Sequence, residues 1–321
     1  MLRSLIYYWR VNLALTAAVA VTGAVITGGL IVGDSVRTSL SRLVVDRLGR
    51  VDAALIAGRF VDKSLALRLN KAPSFEEHSI TATPGIFLPG SATRPVGGRR
   101  ASRVRIYGVE DSFGDLFEQS LKLGRAEGHI FPGAVINASL GSELGARVGD
   151  QVLFHLMGVS DIDRESLLGE RDSSSVVRTI RAVIRQVVED EGLGQFEIQP
   201  SQATGFNAYL PLREVQRTLE QEGKVNLVLF SGSDRLGSEL LRRTLSQALT
   251  AADYGLRIRR GTGYLSIESS SFVLRPFQVE ALSRVANRLK LQSQPVLTYL
   301  ANSLATKNGT VSYSTVTAVD I

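Results

Sequence analysis

Between Val11 and Gly33 the chain runs for 23 residues without a charge. At about 1.5 Å per residue, a helix of that length covers roughly 34 Å, slightly more than the ~30 Å hydrocarbon core of a bilayer. A helix buried in a soluble core would keep a polar face, whereas here only Asn12, Thr16, Thr22 and Thr27 interrupt the apolar surface. A cleaved signal peptide would carry a shorter apolar run, about 7 to 15 residues. The sequence therefore predicts an uncleaved transmembrane helix over 11–33, single-pass in this chain. Arg3 and Arg10, with no acid among the first ten residues, place residues 1–10 in the cytoplasm by the positive-inside bias. The bulk of the chain is then extracytoplasmic, and Tyr7, Tyr8 and Trp9 fall at headgroup level.

Beyond the membrane the helical pattern changes character. Gly33, Asp34 and Ser35 mark the water boundary, where an acid and a hydroxyl become tolerable again. Val36, Leu40, Leu43, Val44 and Leu48 then fall on one helical stripe, with Arg37, Arg42, Asp46, Arg47 and Arg50 on the other face. Arg42 with Asp46 and Asp46 with Arg50 are i,i+4 pairs, each worth about 0.3 kcal/mol. A stalk helix over 34–50 is expected, its stripe packed on another helix of the same or a partner chain.

The remainder, 51–321, reads as one extracytoplasmic domain of the α+β class. Strands are expected at Val51 to Ala57, Arg103 to Val109, Ala134 to Asn137, Gln151 to Leu156, Val176 to Glu189, Phe206 to Leu210 and Val225 to Ser231, each rich in β-branched or aromatic residues. Helices are expected at Ser139 to Gly145, Pro211 to Glu222, Ser233 to Ala252 and Pro276 to Leu289, and loops at Pro89 to Arg100, Ser160 to Ser175, Asp190 to Gly205 and Gly261 to Ser271. The strand-rich segment 130–210 suggests a separate, barrel-like subdomain. With no cysteine the domain stands on packing alone. A net charge of +6 would suit nucleic acid, but the 31 arginines and 6 lysines are scattered, and an outward-facing domain meets no genomic DNA. The one dense basic patch, Arg94, Arg99, Arg100, Arg103 and Arg105, reads as a solvated Pro/Gly loop leading into a strand.

Catalytic patterns fail residue by residue. A phosphate-cradling loop needs GxxxxGK and then Ser or Thr, but Lys224 is followed by Val225 and Thr218 stands where the first glycine belongs. Ser139 has Asn137 rather than Gly two residues before it, so it reads as a helix N-cap and not as a nucleophile elbow. No Lys follows a Ser by three positions. His78, His129 and His155 form no local metal motif. Asp161, Asp163 and Glu165 are spaced like the start of a calcium loop, yet Ser166 replaces its Gly and Asp172 its bidentate Glu. The reading is a non-enzyme without cofactor or metal.

Several segments carry a resemblance. The opening YYWRVNLALTAAVAVTGAVITGGLIVGDSVRTSL resembles the first transmembrane helix and exit segment of bacterial ABC transporter permeases of the MacB/FtsX-like group. GAVINASLGSELGARVGDQVLFHL, FNAYLPLREVQRTLEQEGKVNLVLF and VLTYLANSL are similar, in that order, to the periplasmic core domain of such permeases. The resemblance implies a permease component in the bacterial inner membrane, working with an ABC ATPase subunit on a separate chain, whose membrane-proximal helix transmits movement to the extracytoplasmic domain. It implies contact with membrane lipid and with a second copy or a second permease, and no nucleic acid; it leaves the substrate open. The alternative is a membrane-anchored binding or adaptor domain with no ATPase. The family also has three further C-terminal membrane helices, which implies that 1–321 is the N-terminal part of a longer permease, or a truncated product that is unstable or oligomerising alone; the alternative is a naturally short single-pass protein whose closing Thr/Ser/Val-rich strand pairs with Val225 to Ser231 or another internal partner.

Overall fold

The computed structural model describes residues 7–125, 130–157, 177–198, 205–232, 237–269, 273–307 and 309–319, with backbone only at 40–44 and 46. The chain divides into two units, Met1–Tyr254 and Gly255–Ile321.

The first unit opens with α1, Trp9–Leu48, a 40-residue helix of about 60 Å. It runs unbroken through Gly33, Asp34 and Ser35. Its stretch Trp9–Ser39 is, among the described residues, the one helix long and apolar enough to cross a membrane, and none of the apolar window is buried within the chain. Two of the polar interruptions are satisfied locally: the Thr16 and Thr22 hydroxyls donate to the carbonyls of Asn12 and Ala18, both at 2.8 Å, as an apolar medium would require.

Then follow β1 (Ala53–Asp62), α2 (Ser64–Asn70), α3 (Pro73–Glu77), β2 (Thr81–Thr93) and β3 (Arg100–Val109). A 3-10 turn, Asp111–Phe117, leads to β4 (Gly133–Asn137), α4 (Ala138–Leu144), β5 (Gln151–Met157) and β6 (Val177–Val188). A second 3-10 turn, Gly192–Gln195, precedes β7 (Phe206–Pro211), α5 (Leu212–Thr218), β8 (Lys224–Ser231) and α6 (Ser238–Ala248).

The eight strands form one sheet in the order β1-β8-β2-β3-β7-β4-β6-β5, and β5 returns to β2. Six strands, β2-β3-β7-β4-β6-β5, therefore close a barrel that draws β4 to β7 from the strand-rich segment 130–210 together with β2 and β3. The pairs β3 with β7 and β4 with β6 are parallel; the other ring pairs are antiparallel. β2 serves two structures. Thr81 to Gly85 pair with β8, Ile86 to Thr93 with β3, and Gly90 to Thr93 also with β5. Closure brings the β5 backbone so near Gly90 that an added Cβ would collide with the His155 carbonyl oxygen and come within 2.6 Å of Ile106 Cδ1.

Both faces of the central strands are buried, which is why β7 and β8 read as continuous apolar runs. One face packs the barrel interior with Ile86, Leu88, Val104, Ile106, Phe154 and Leu210, continuous with α2, α3, α4 and α5 through Leu65, Phe75, Leu140 and Val215. The opposite face carries Tyr107, Val109, Val135, Tyr209, Leu227 and Leu229.

The second unit holds the antiparallel pair β9 (Leu256–Arg260) and β10 (Leu265–Ser269), helix α7 (Pro276–Arg288) and the hairpin β11 (Val296–Thr306) with β12 (Gly309–Val319). The closing Thr/Ser/Val-rich segment is thus paired with β11.

Several sequence expectations need correction, among them the helix expected at Pro211 to Glu222, which is Leu212–Thr218 with Pro211 ending β7. Pro89 to Thr93 are strand, not loop, because β2 continues to the hairpin turn; the expected loop from Gly261 contains β10. α2, α3, β9, β11 and the first part of β2 were not anticipated; α3 and β9 are short and rich in charge or breakers. The helix expected at Ser233 to Ala252 is confined to Ser238–Ala248, and residues 233–236 lie outside the described residues. The cap of α4 is Asn137 rather than Ser139: its side chain accepts from the Leu140 amide at 3.2 Å, while Ser139 turns its hydroxyl to Asp190 at 2.6 Å.

Candidate functional site

The long helix must hand over to the sheet, and that joint is built from three layers. At its end α1 stops on Gly49, whose φ of 57° is a conformation few L side chains adopt. The space is equally restrictive: a Cβ there would lie 2.6 Å from Phe117 Cδ1 and 2.7 Å from the Leu116 carbonyl oxygen. That carbonyl accepts from the Arg50 amide at 2.9 Å, and the Asp52 amide donates to the Phe230 carbonyl at 2.8 Å. Helix and sheet are thereby joined within four residues.

The second layer is aromatic. Leu48 is half-buried against a core of Val51, Val109, Leu116, Leu193, Phe113 and Phe196. Tyr107 and Tyr209, neighbours across the parallel β3–β7 pair, stack at 5.3 Å. Phe196 contacts Tyr107, Phe113 and Phe117 at 5.2, 5.5 and 5.3 Å. Such ring pairs add about 0.5–1.5 kcal/mol beyond area burial. Both hydroxyls find carbonyls, Tyr209 that of Leu193 at 2.5 Å and Tyr107 that of Phe196 at 3.4 Å. Burial pushes both phenols above their ordinary range.

The third layer is polar and fixes the segment 190–198 on which the helix rests. Asn137 Nδ2 donates to Asp190 Oδ1 at 2.7 Å and to the Gly194 and Gly205 carbonyls at 3.1 and 2.8 Å. Asn207 Nδ2 donates to the Gly194 and Phe196 carbonyls at 3.1 and 2.9 Å, and its amide donates to Asn137 Oδ1 at 3.0 Å. Two buried asparagines thus pin this segment to β4 and β7. From α1, Arg47 Nε donates to Gln195 Oε1 at 3.0 Å. Beside it Glu197 pairs with Arg105. Burial raises the Glu197 carboxyl above its ordinary range, opposed by the Arg105 and Arg47 guanidinium groups.

Of the residues singled out in the sequence, Leu48 reaches this joint. Gly33, Asp34, Ser35 and Val36 lie exposed along α1. Leu40, Leu43 and Val44 lie on its helical backbone, with side chains outside the described residues, as are those of Arg42 and Asp46. His78 Nδ1 lies 2.9 Å from the Ser74 carbonyl, and His155 sits between Thr93 and Thr179 hydroxyls at 3.2 and 3.0 Å. His129 and Asp161, Asp163, Glu165, Ser166 and Asp172 lie outside the described residues. Among the described residues no three His, Cys, Asp or Glu side chains gather as metal ligands. Tyr107, Tyr209, Asn137, Asn207, Gln195 and Glu197 were not foreseen; an Asn inside each of two apolar strands, AVIN and FNAYL, was the available signal.

The chain is similar to the periplasmic region of MacB from Actinobacillus actinomycetemcomitans, at 14% identity and a TM-score of 0.38, covering 76% of this chain and 97% of that one. It is also similar to the extracellular domain of the noncanonic ABC-type transporter YknZ from Gram-positive bacteria, at 8% identity and a TM-score of 0.37, covering 67% of this chain and 98% of that one. No protein-family model matches the sequence, and no curated protein sequence matches it.

Proposed function

We propose that this chain is the membrane component of an ABC transporter of the MacB/FtsX type, coupling ATP hydrolysis by a separate ATPase subunit to movement of its extracytoplasmic domain. The observation that carries this reading is α1 itself: one rigid element of 40 residues, apolar enough to span a bilayer at one end and locked to the sheet through Gly49, Arg50 and Asp52 at the other. A helix that merely anchored a domain would work equally well through a flexible linker. Here a displacement or rotation of the membrane segment is delivered to Leu116, Phe117 and the segment 190–198 without a hinge. The sequence resemblance of the opening and of the three later segments supplies the family. On this reading the role of the chain is transmission, and the hydrolysis belongs to its partner. The expected location is the bacterial inner membrane with the N-terminus cytoplasmic, in contact with lipid and with a second copy or second permease.

Two measurements test it. Purification of the tagged chain from its own cells in mild detergent should recover an ABC ATPase subunit in fixed stoichiometry; recovery of a soluble extracytoplasmic partner alone, with no ATPase, makes the chain an adaptor instead. Cysteines introduced at Ser4 and Ser173 report orientation through a membrane-impermeant thiol reagent. Labelling at position 4 in intact cells rules out the assigned topology.

A further inference from the structure

The structure divides the dense arginine patch in two. Arg105 is used internally, paired with Glu197. Arg94 is used internally as well: it ties the β2–β3 turn to the loop after α4, donating to the Gly145 carbonyl at 2.7 Å and pairing with Asp150 at 3.2 Å. Both turns are closed by their own backbone, the Arg94 amide donating to the Arg99 carbonyl at 2.9 Å and the Asp150 amide to the Arg147 carbonyl at 3.0 Å. Asp150 also accepts from the Arg147 amide at 2.8 Å. The Arg99 side chain lies against Gly145, bridging the same two turns.

What this rigid double turn presents is cationic. Arg99, Arg100, Arg103 and Arg147 are exposed, and none has an ion pair among the described residues. Within 94–103 and 145–150 the single acid is Asp150, already engaged. Arg103 is also held in an unusual way. The β2–β3 register passes from Gly90 opposite Val104 to Ser91 opposite Ser102, so Arg103 is a bulge residue, and its φ is 57°. A bulge re-aims the side chain it carries, and a non-glycine residue at positive φ is a strain that structures keep chiefly at functional positions.

We propose that this double turn is a docking surface for a carboxylate-rich segment of a partner protein. Arginine suits carboxylates because its planar fork can engage both oxygens at once. Four such forks, exposed on two separate turns, fit an extended acidic surface rather than a small anion. The bilayer is the less suitable anion. β3 separates the turn from the joint by ten residues, about 30 Å, since Val109 at its other end lies in the core that receives α1. The surface is independent of the ATPase reading and stands or falls without it.

The test uses the full chain in neutral detergent and a fluorescein-labelled poly-L-glutamate peptide as probe, read by anisotropy at low salt. The triple variant Arg99→Gln, Arg100→Gln, Arg103→Gln is compared with a charge-matched control at the exposed Arg213, Arg284 and Arg288, also to Gln. Unchanged thermal midpoints verify folding in both. The expected result is roughly a tenfold loss of affinity in the first triple, three exposed ion pairs at their usual strength, and less than a twofold loss in the control. Equal losses in the two triples, or no binding by the parent chain, overturn the proposal. So does binding to phosphatidylglycerol vesicles that the first triple variant weakens, without binding to the peptide, which would make the surface a lipid contact.

Discussion

Gly49 is the residue on which the joint depends most directly, since both its backbone conformation and its surroundings exclude a side chain. Gly49→Ala should destabilise the first unit by about 2 kcal/mol, combining the positive φ with the displacement of Phe117, and lower the thermal midpoint by several degrees; an unchanged midpoint would mean that the joint yields freely. Glu197 gives a pH signature. Its folded-state carboxyl titrates above the ordinary 4.5, so the native state keeps a proton that the unfolded state has already lost. Stability therefore falls as pH rises from about 4.5 through the raised value, and Glu197→Gln should flatten the curve in that window. Asp62 acts with the opposite sign: hydrogen bonds from Ser64 hold its carboxyl below the ordinary 3.8, a contribution present above that value and lost as pH falls. The roles of Gly49 and Glu197 were not legible in the sequence, because each depends on partners far along the chain, whereas the partner of Asp62 is local. Glu197 reads as one more acid in a polar stretch until Arg105 and Arg47 are beside it. Asn207 was the exception in kind, a polar residue in an otherwise apolar strand whose burial demanded partners.

At the level of elements, α1 and β2 teach opposite lessons. The apolar run of α1 was readable because a bilayer demands both length and composition of a helix, and nothing in 34–48 forbids its continuation. If that continuity transmits force, Leu40→Pro should break it at a cost of about 3 kcal/mol of helix. Membrane insertion should survive while partner-dependent activity is lost, with Leu40→Ile retaining both; equal activity of the two variants at equal abundance would reject a mechanical helix. β2 was missed because TPGIFLPG carries two prolines, which argue against a central strand. The structure accommodates both where β2 changes neighbours. Pro84 precedes the exchange of β8 for β3, and Pro89 precedes the first residue that pairs with β5. Gly90, beside it, is the closure point, so Gly90→Val should open the barrel seam. Hydrogen exchange at the β5 amides facing Gly90 to Thr93 reports this directly, rising well before that of β3 and β7 amides.

For the whole molecule, the two units differ in what holds them. The first has two continuous cores on either face of one sheet. Among the described residues of Gly255–Ile321, no apolar side chain is fully buried, and Leu297, Tyr299, Leu300, Val311 and Tyr313 stand open on the hairpin. An uncovered two-stranded ribbon is marginal in water. In the isolated chain the β11 and β12 amides should therefore exchange orders of magnitude faster than those of β3, β7 and β8; comparable protection would require a covering partner. The α+β class and the barrel-like character were readable from the spacing of short strands and turns. The ring membership was not, since β3 with β7 and β1 with β8 are pairings between distant segments that no local pattern announces.

Ala53 pairs with Phe230, and Asp62 with Lys224. If the proposed orientation holds, a chain exported from its N-terminus delivers β1 across the membrane before β8 has been synthesised, and β1 waits as an open edge until β8 arrives. Pairings of this reach fold slowly and leave the edge vulnerable to aggregation meanwhile. The order of birth, more than the final stability, then decides how much of this protein matures, and its yield in cells should respond to translation speed between residues 62 and 224 and to the supply of extracytoplasmic chaperones.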